Sequence, residues 1–201
     1  CRHTGMVKID ARTKKLIWVF GPNKGYNRSG RDGKGPAISD KVLVAVDKNN
    51  KPYSPLFQKG EEANASFKWP TKTHHAAVVG NGIFSIFDNS GPIYDSKVVS
   101  SVHAHASVFF VNEKNKTVKQ IWKQDLGVQS SSASSVVYQP EKGEVIVYVS
   151  DVPDKNQTGM SYGLLTRFDL DSHDVLFQAS VYRGGESWFY RAEDFSFYPN
   201  E

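Results

Sequence analysis

The sequence predicts an all-β protein that is built from a repeated unit of four strands. Short β-branched and aromatic runs recur along the 201 residues, turn-forming residues separate them, and two marker motifs return at nearly equal intervals. Three of the intervening turns are typical of hairpins, at 80–82, 139–143 and 169–174. The predicted strands are Met6–Ile9, Lys15–Phe20, Val42–Val46, Ala76–Val79, Gly82–Phe87, Ser107–Val111, Val118–Trp122, Ser134–Tyr138, Glu144–Val149, Gly163–Leu170 and Val175–Tyr182.

The two marker motifs define the length of the repeat. In the first motif a strand ends in an acidic or amide residue before a polar turn, at Asp10, Asn112 and Asp169, and the last two are 57 positions apart. The second motif starts at Ala76 and returns at Ser134, 58 positions later. A four-stranded repeat of this length is typical of a β-propeller blade. The hairpin pairs 76–88 plus 107–123 and 134–149 plus 163–182 are therefore predicted to form two blades.

The ends of the chain are expected to hold incomplete blades. Residues 4–20 are similar to the second half of a preceding blade, and residues 187–197 to the start of a following one. Propellers close with about four to eight blades. We therefore expect residues 1–201 to be the C-terminal portion of a larger propeller domain that packs against the missing N-terminal blades, whether these belong to the same precursor or to a partner chain.

One stretch interrupts the repeat. Residues 21–73 are rich in Gly, Pro, Lys and Asn and are too long for a hairpin loop. This stretch is predicted to be an insertion that passes over one end of the propeller, where long loops often cover a site.

Composition excludes several classes of function. The formal net charge is +4 and the basic residues are scattered, so nucleic-acid binding is not expected. The chain has no apolar run that reaches the ~18 residues of a membrane-spanning helix. Its first residues lack the apolar core segment of a signal peptide. The single cysteine, Cys1, allows no disulfide within the chain.

Four Asn-x-Ser/Thr sequons suggest an exported protein. They start at Asn27, Asn64, Asn115 and Asn156, all in polar stretches where an attached glycan would reach solvent. We expect a secreted protein, extracellular or periplasmic, with these asparagines as candidate glycosylation sites. The alternative is that all four are unmodified surface residues.

Histidines at the starts of strands are the strongest candidates for chemistry. His74 and His75 open a β-run, and neighbouring side chains of a regular strand point to opposite faces, so only one of them is expected to face a given site. Such a histidine serves as a nucleophile, a general base or a ligand, or has a structural role. Arg2 and His3 open the first strand in the same manner, and the Arg2 guanidinium suits a sulfate, phosphate or carboxylate group.

These blocks together resemble the aryl-sulfate sulfotransferases, six-bladed propeller enzymes that need no nucleotide sulfate donor. The resemblance covers most of residues 1–150 and is specific in combination. It rests on an Arg-His strand with a Lys-Ile-Asp ending, on the strand that follows, and on a Trp…His-His-Ala-Ala…Phe-Asp-Asn series. The matching stretches are residues 2–10, 16–22, 30–35, 46–47, 67–77, 86–89, 118–122 and 130–131.

The resemblance implies about three of six blades and a two-step sulfuryl transfer through a sulfated histidine. His75 matches the nucleophile of the family's Gln-His-x-Ala motif, and His74 stands in place of the Gln. Arg2 resembles the arginine that holds the sulfuryl oxygens, and His74, His3 and His105 are possible accessory residues. The resemblance implies a phenolic sulfate donor, a phenol acceptor and no cofactor or metal.

Two other hypotheses remain open. The family's other active-site histidines lie upstream of the Arg-His strand, and no arginine stands at 103–107, where the family often has a Ser-Arg pair. The chain could therefore belong to a propeller that has lost catalysis and acts as an extracellular binding or structural module. A metal site built from His74, His75, His103 and His105 ranks last, because this spacing fits no standard metal motif.

Overall fold

The fold is described for residues 5–22, 35–89, 103–130, 133–154, 156, 160–182 and 192 of a computed structural model. In these residues the regular secondary structure is almost entirely strand, in three sheets that do not close into a barrel, which confirms the predicted all-β fold class. One short α-helix, α1 (Pro55–Gln58), lies in the inserted stretch, and two 3-10 helices span Ser39–Lys41 and Pro140–Lys142. The strands are β1 (Met6–Ile9), β2 (Leu16–Phe20), β3 (Val44–Val46), β4 (Thr73–Gly80), β5 (Ile83–Asp88), β6 (His105–Asn112), β7 (Thr117–Asp125), β8 (Ser135–Gln139), β9 (Glu144–Pro153), β10 (Ser161–Asp169) and β11 (Val175–Val181).

The two predicted four-stranded units are both present as antiparallel meanders. The first blade has the order β4-β5-β6-β7, and the second has the order β8-β9-β10-β11. The first strands of the two blades, β4 and β8, lie next to each other, so we call their edges the inner edges. The Gly80-Asn81-Gly82 turn joins β4 to β5 as predicted, and all three of its residues have positive φ, a conformation that glycine adopts without strain.

Strands β1 and β2 form a separate antiparallel hairpin, the half-blade, as the sequence predicts for residues 4–20. A shared turn explains why this hairpin resembles the outer hairpins of the two blades. Asp10 Oδ1 accepts the backbone N–H of Thr13, Asn112 Oδ1 accepts that of Asn115, and Asp169 Oδ1 accepts that of Ser172. The first marker motif is therefore an Asx turn at the same place in each unit.

The inserted stretch packs differently from the prediction. Its strand β3 pairs in parallel with β7 and adds a fifth strand to the outer edge of the first blade. Phe57 and Phe67 of the insertion are buried between the half-blade and the first blade. Residues 35–73 of the insertion therefore contribute to the core and to the sheet edge, because Leu43, Phe57, Phe67 and Trp69 are buried there. Residues 23–34 lie outside the described residues.

Two apolar clusters hold the three sheets together. The first, between the half-blade and the first blade, is mainly aromatic, and Phe20 lies at its centre with ring contacts to Trp69, Phe84 and Phe109. The second, between the two blades, is mainly aliphatic. Its members are Phe87, Ala104, Ala106, Val108, Trp122, Val136, Val145, Val147, Val149, Val152, Leu164 and Phe168.

Candidate active site

Both adjacent histidines at the start of β4 contact the second blade. The backbone N–H of Ala133 donates to Nε2 of His74 at 3.1 Å, and the backbone N–H of Val136 donates to Nδ1 of His75 at 3.3 Å. Both rings are partly exposed. The histidine pair therefore lies at the inner edge of the first blade, against the start of β8.

Although neighbouring side chains of a regular strand point to opposite faces, both histidines contact the same segment of the second blade. Thr73 pairs with Asp88 and Ala76 pairs with Ile86, so β4 has one more residue than β5 over this interval. Such a β-bulge breaks the alternation of side chains along the strand. The extra residue allows both His74 and His75 to reach the same segment of the second blade.

These hydrogen bonds assign the proton on each neutral imidazole. A ring nitrogen that accepts a backbone N–H carries no proton itself. Neutral His74 is therefore protonated on Nδ1, and neutral His75 is protonated on Nε2. In this arrangement the lone pair of His75 lies on Nδ1 and is directed at Val136.

A cavity of about 450 Å³ lies beside His75. It runs along the inner strands β4 and β8, and Ala76, Val78, Val136 and Tyr138 supply much of its wall. The hydroxyl-bearing residues Ser85 and Ser135 also line it, and the Oγ of Ser85 donates to the Val136 carbonyl. Its volume is in the range of about 300–1,000 Å³ that small-molecule sites occupy.

Asp88 fixes the turn that leads into the histidine pair. Its carboxylate is buried and accepts the backbone N–H groups of Thr71 and Lys72 at 2.9 and 2.7 Å. Asp88 also pairs with Thr73, the first residue of β4, across the β4–β5 ladder. The strand therefore starts at a position that a buried carboxylate determines.

We expect Asp88→Ala to destabilise the protein by about 3 kcal/mol, because each buried N–H left without a partner costs roughly 1–3 kcal/mol. The measurement is the free energy of unfolding in urea, followed by tryptophan fluorescence. Asp10→Ala is the matched control, because Asp10 also accepts two backbone N–H groups but is exposed. Equal losses in the two variants would contradict an anchoring role for Asp88.

His103 and His105 form a separate polar cluster, and His105 lies two strands away from β4. His105 opens β6, is 5% exposed, and lies opposite Asp88 in the β5–β6 ladder. Asp125 at the end of β7 is 3.2 Å from Nδ1 of His103 and 3.5 Å from Nε2 of His105. Lys68 Nζ is 2.8 Å from Nε2 of His105. The structure therefore does not bring His105 to His74 and His75.

The separation of His103 and His105 from His74 and His75 argues against a metal site built from all four histidines. Among the residues that are described, no group of three or more His, Cys, Asp or Glu side chains is arranged to hold a metal ion. Of the four histidines of the metal hypothesis, His74 and His75 lie on β4, whereas His105 lies on β6 and His103 precedes it. Arg2 and His3, predicted as site residues, and the sequon residue Asn27 lie outside the described residues.

A comparison with models of protein families shows which family the chain belongs to. The model of the arylsulfotransferase (ASST) family matches residues 1–191. The chain belongs to the arylsulfotransferase family. No curated protein matches the chain significantly. Family membership confirms the resemblance that the motifs indicated and supports an arylsulfotransferase-type function in general.

Sequence reasoning assigned no role to two residues that shape this candidate site. Asp88 was part of the Phe-Asp-Asn motif, and the available signal was an acidic residue at the end of an apolar strand. Tyr138 stands at the end of an apolar run, and only the packing of β8 on β4 shows that it lines the cavity.

Proposed function

We propose that this chain carries part of the active site of an aryl-sulfate sulfotransferase that uses His75 as its nucleophile. The donor is a phenolic sulfate ester and the acceptor is a second phenol. The observation that carries the proposal is the position of His75, on the inner strand of an arylsulfotransferase-family propeller and at the wall of a cavity. The apolar wall and Tyr138 suit an aromatic ring.

The first half-reaction transfers the sulfuryl group to the protein. A lone pair of the His75 imidazole attacks sulfur, the bond between sulfur and the aryl oxygen breaks, and the phenolate leaves. In the second half-reaction the acceptor oxygen attacks sulfur, the acceptor loses its proton, and the ring nitrogen leaves. The Arg2 guanidinium holds the sulfuryl oxygens, where its charge opposes the negative charge of the transition state. The chemistry requires no cofactor or metal.

The hydrogen bond from Val136 sets a condition for this attack. Attack through Nε2 requires the proton of the neutral ring to move to Nδ1, and attack through Nδ1 requires the lone pair of that nitrogen, so on either route the ring must leave the Val136 N–H. We infer that donor binding is accompanied by one of these changes at His75.

The direct test is the release of nitrophenol from nitrophenyl sulfate by the full-length protein, with a phenol acceptor present. We expect nitrophenol release that depends on both donor and acceptor. Tight donor binding without any turnover would contradict the proposal.

A second candidate function is that of a propeller without catalysis, which binds extracellular ligands or has a structural role. It is favoured by the same two hydrogen bonds, since both His74 and His75 accept backbone N–H groups that join the blades. The two candidates differ in the assay above, because a binding module retains the aryl sulfate unchanged.

We propose that further propeller blades cover two apolar surfaces of this chain. Val7 and Ile9 of β1 are about half exposed, beside a cavity of about 770 Å³ that also reaches Trp18 and Phe84. Phe177 on β11, together with its neighbours 175 and 176, is also about half exposed. Apolar patches of this kind on a sheet indicate a missing neighbour.

Hydrogen exchange tests this arrangement. In the full-length protein we expect the amides of β1 that point away from β2 to exchange more slowly than in the isolated 201-residue chain. The amides of β6, which pairs on both sides with β5 and β7, serve as the internal control. Equal exchange of the β1 amides in both proteins would contradict the proposed neighbour.

We also propose that the protein is exported and glycosylated. The sequon residues Asn64, Asn115 and Asn156 are exposed. No helix among the described residues is long and apolar enough to span a membrane. Protein from its native source should lose mass on treatment with an N-glycanase, and an unchanged mass would contradict glycosylation.

A further inference from the structure

A second group of reactive side chains lies at the end of the first blade where β5 and β7 end and β6 begins. The ammonium nitrogen of Lys68 is 2.8 Å from Nε2 and 3.0 Å from Nδ1 of His105. His105 is almost completely buried, whereas Lys68 keeps partial exposure. Lys68 comes from the inserted stretch and His105 from β6, so the packing of the insertion against the blade creates the pair.

A carboxylate completes the arrangement. Oδ2 of Asp125 is 3.5 Å from Nε2 of His105, and Oδ1 of Asp125 is 3.2 Å from Nδ1 of His103. Since Nε2 faces this carboxylate, the ring nitrogen that pairs with the Lys68 amine in such a series is Nδ1, 3.0 Å from Nζ, and in that pairing an amine, an imidazole and a carboxylate follow one another. This order of nucleophile, base and orienting group is the one that activates nucleophiles in covalent catalysis.

The surroundings of Lys68, above all its burial, favour its neutral form more than water does. Burial lowers the pKa of Lys68 to about 8, partly offset by Asp88 of β5 and Asp125 of β7, and Lys123 of β7 lowers it further. Burial, and then the charge of Lys68, lower the pKa of His105, which is therefore neutral and able to accept a proton. An ordinary lysine has a pKa of about 10.4, so near pH 7.5 the neutral fraction of Lys68 is roughly a hundredfold higher.

Part of the cluster is exposed to solvent. The side chains of His103 and Asp125 are 41% and 49% exposed, and Lys68 is itself partly exposed. Once Lys68 is neutral, the carboxylates of Asp88 and Asp125 oppose the single ammonium of Lys123. This balance disfavours an anionic reactant and favours an uncharged one.

We propose that Lys68 is a nucleophilic amine that forms an imine with small uncharged aldehydes. The Lys68 nitrogen adds to the carbonyl carbon, a C–N bond forms, and the carbonyl oxygen receives one of the two amine protons through His105, which gives a hydroxyl group. His105 then transfers the second amine proton to that hydroxyl, which leaves as water when the C=N bond forms. The step requires no oxidant or reductant, and it is independent of the sulfuryl transfer proposed for His75.

The test is reductive trapping with benzaldehyde as the probe. Full-length protein is incubated with benzaldehyde and cyanoborohydride between pH 6 and pH 9, and the benzylated lysines are identified by peptide mass spectrometry. We expect Lys68 to be labelled at least tenfold faster than the exposed lysines, with a rate that rises to half its maximum near pH 8. In His105→Gln and Asp125→Asn the labelling of Lys68 should slow severalfold and its pH midpoint should move.

Two lysine variants serve as controls. Lys68→Arg keeps the charge without a nucleophilic amine and should abolish the fast labelling. Lys123→Arg should leave the fast labelling of Lys68 unchanged. Lys123 is also half-buried, but its ammonium donates to the carbonyl of Ala65 rather than to an imidazole. Labelling of Lys68 at the rate of the exposed lysines, or fast labelling that persists in Lys68→Arg, would overturn the proposal even if His105→Gln failed to fold.

Discussion

Replacement of His75 by asparagine is expected to lower sulfuryl transfer by a factor on the order of 10⁴, since removal of a covalent nucleophile leaves only binding and charge stabilisation. Asparagine suits this test because its Oδ1 lies close to the position of Nδ1 and can accept the N–H of Val136. The fold and the aryl cavity should therefore persist, and the loss should appear in kcat rather than in the affinity for donor. The measurement is steady-state release of nitrophenol from nitrophenyl sulfate with a phenol acceptor present.

Two other histidine variants make this result specific. His74→Asn keeps an acceptor for the N–H of Ala133 and should retain most of the activity, because His74 takes the place of a family glutamine. His173→Asn removes an exposed ring that stacks on Trp122, far from β4 in the fold, and should have no effect. If His74→Asn were as inactive as His75→Asn, the assignment of the nucleophile to His75 alone would be wrong.

Phe20→Ala is expected to destabilise the protein by about 4 kcal/mol, the usual cost of removing a fully buried phenylalanine. The Phe20 side chain is completely buried, and its ring centre is 4.8 Å from that of Phe109 and 5.3 Å from that of Phe84. It also contacts Trp69 of the inserted stretch at 5.5 Å. The substitution removes the ring that joins the half-blade, the first blade and the insertion, and urea unfolding measures the loss.

An exposed phenylalanine provides the control. Phe177→Ala in the same 201-residue chain should cost less than about 1 kcal/mol, because Phe177 is 47% exposed and little cavity forms. A similar loss in both variants would show that the aromatic cluster between the half-blade and the first blade does not hold the sheets together.

The sequence was sufficient to predict the blades because their signals are local. Alternation of apolar residues, glycine at the β4–β5 turn and the Asx turns at Asp10, Asn112 and Asp169 each act within a few residues. The same local signals repeat at the blade period, which is why two separate motifs indicated the same unit. The fold class and the division into two blades and a half-blade followed from them.

The features that the sequence did not predict depend on contacts between distant segments. Strand β3 has only three residues, and its parallel pairing with β7 is a long-range choice that no hairpin turn dictates. The bulge before Ala76 is visible only in the register with β5, although it decides where His74 points. Lys68 and His105 are 37 positions apart, and only the folding of the insertion onto the blade brings them into contact.

The central claim is that His75 carries the sulfuryl group between donor and acceptor. Full-length protein is incubated with nitrophenyl sulfate and no acceptor, and the intact mass and the modified peptide are determined by mass spectrometry. We expect one sulfuryl group per molecule, located on His75, absent from His75→Asn and discharged when a phenol is added. No sulfuryl adduct, or an adduct on another residue that a phenol discharges, would contradict the account.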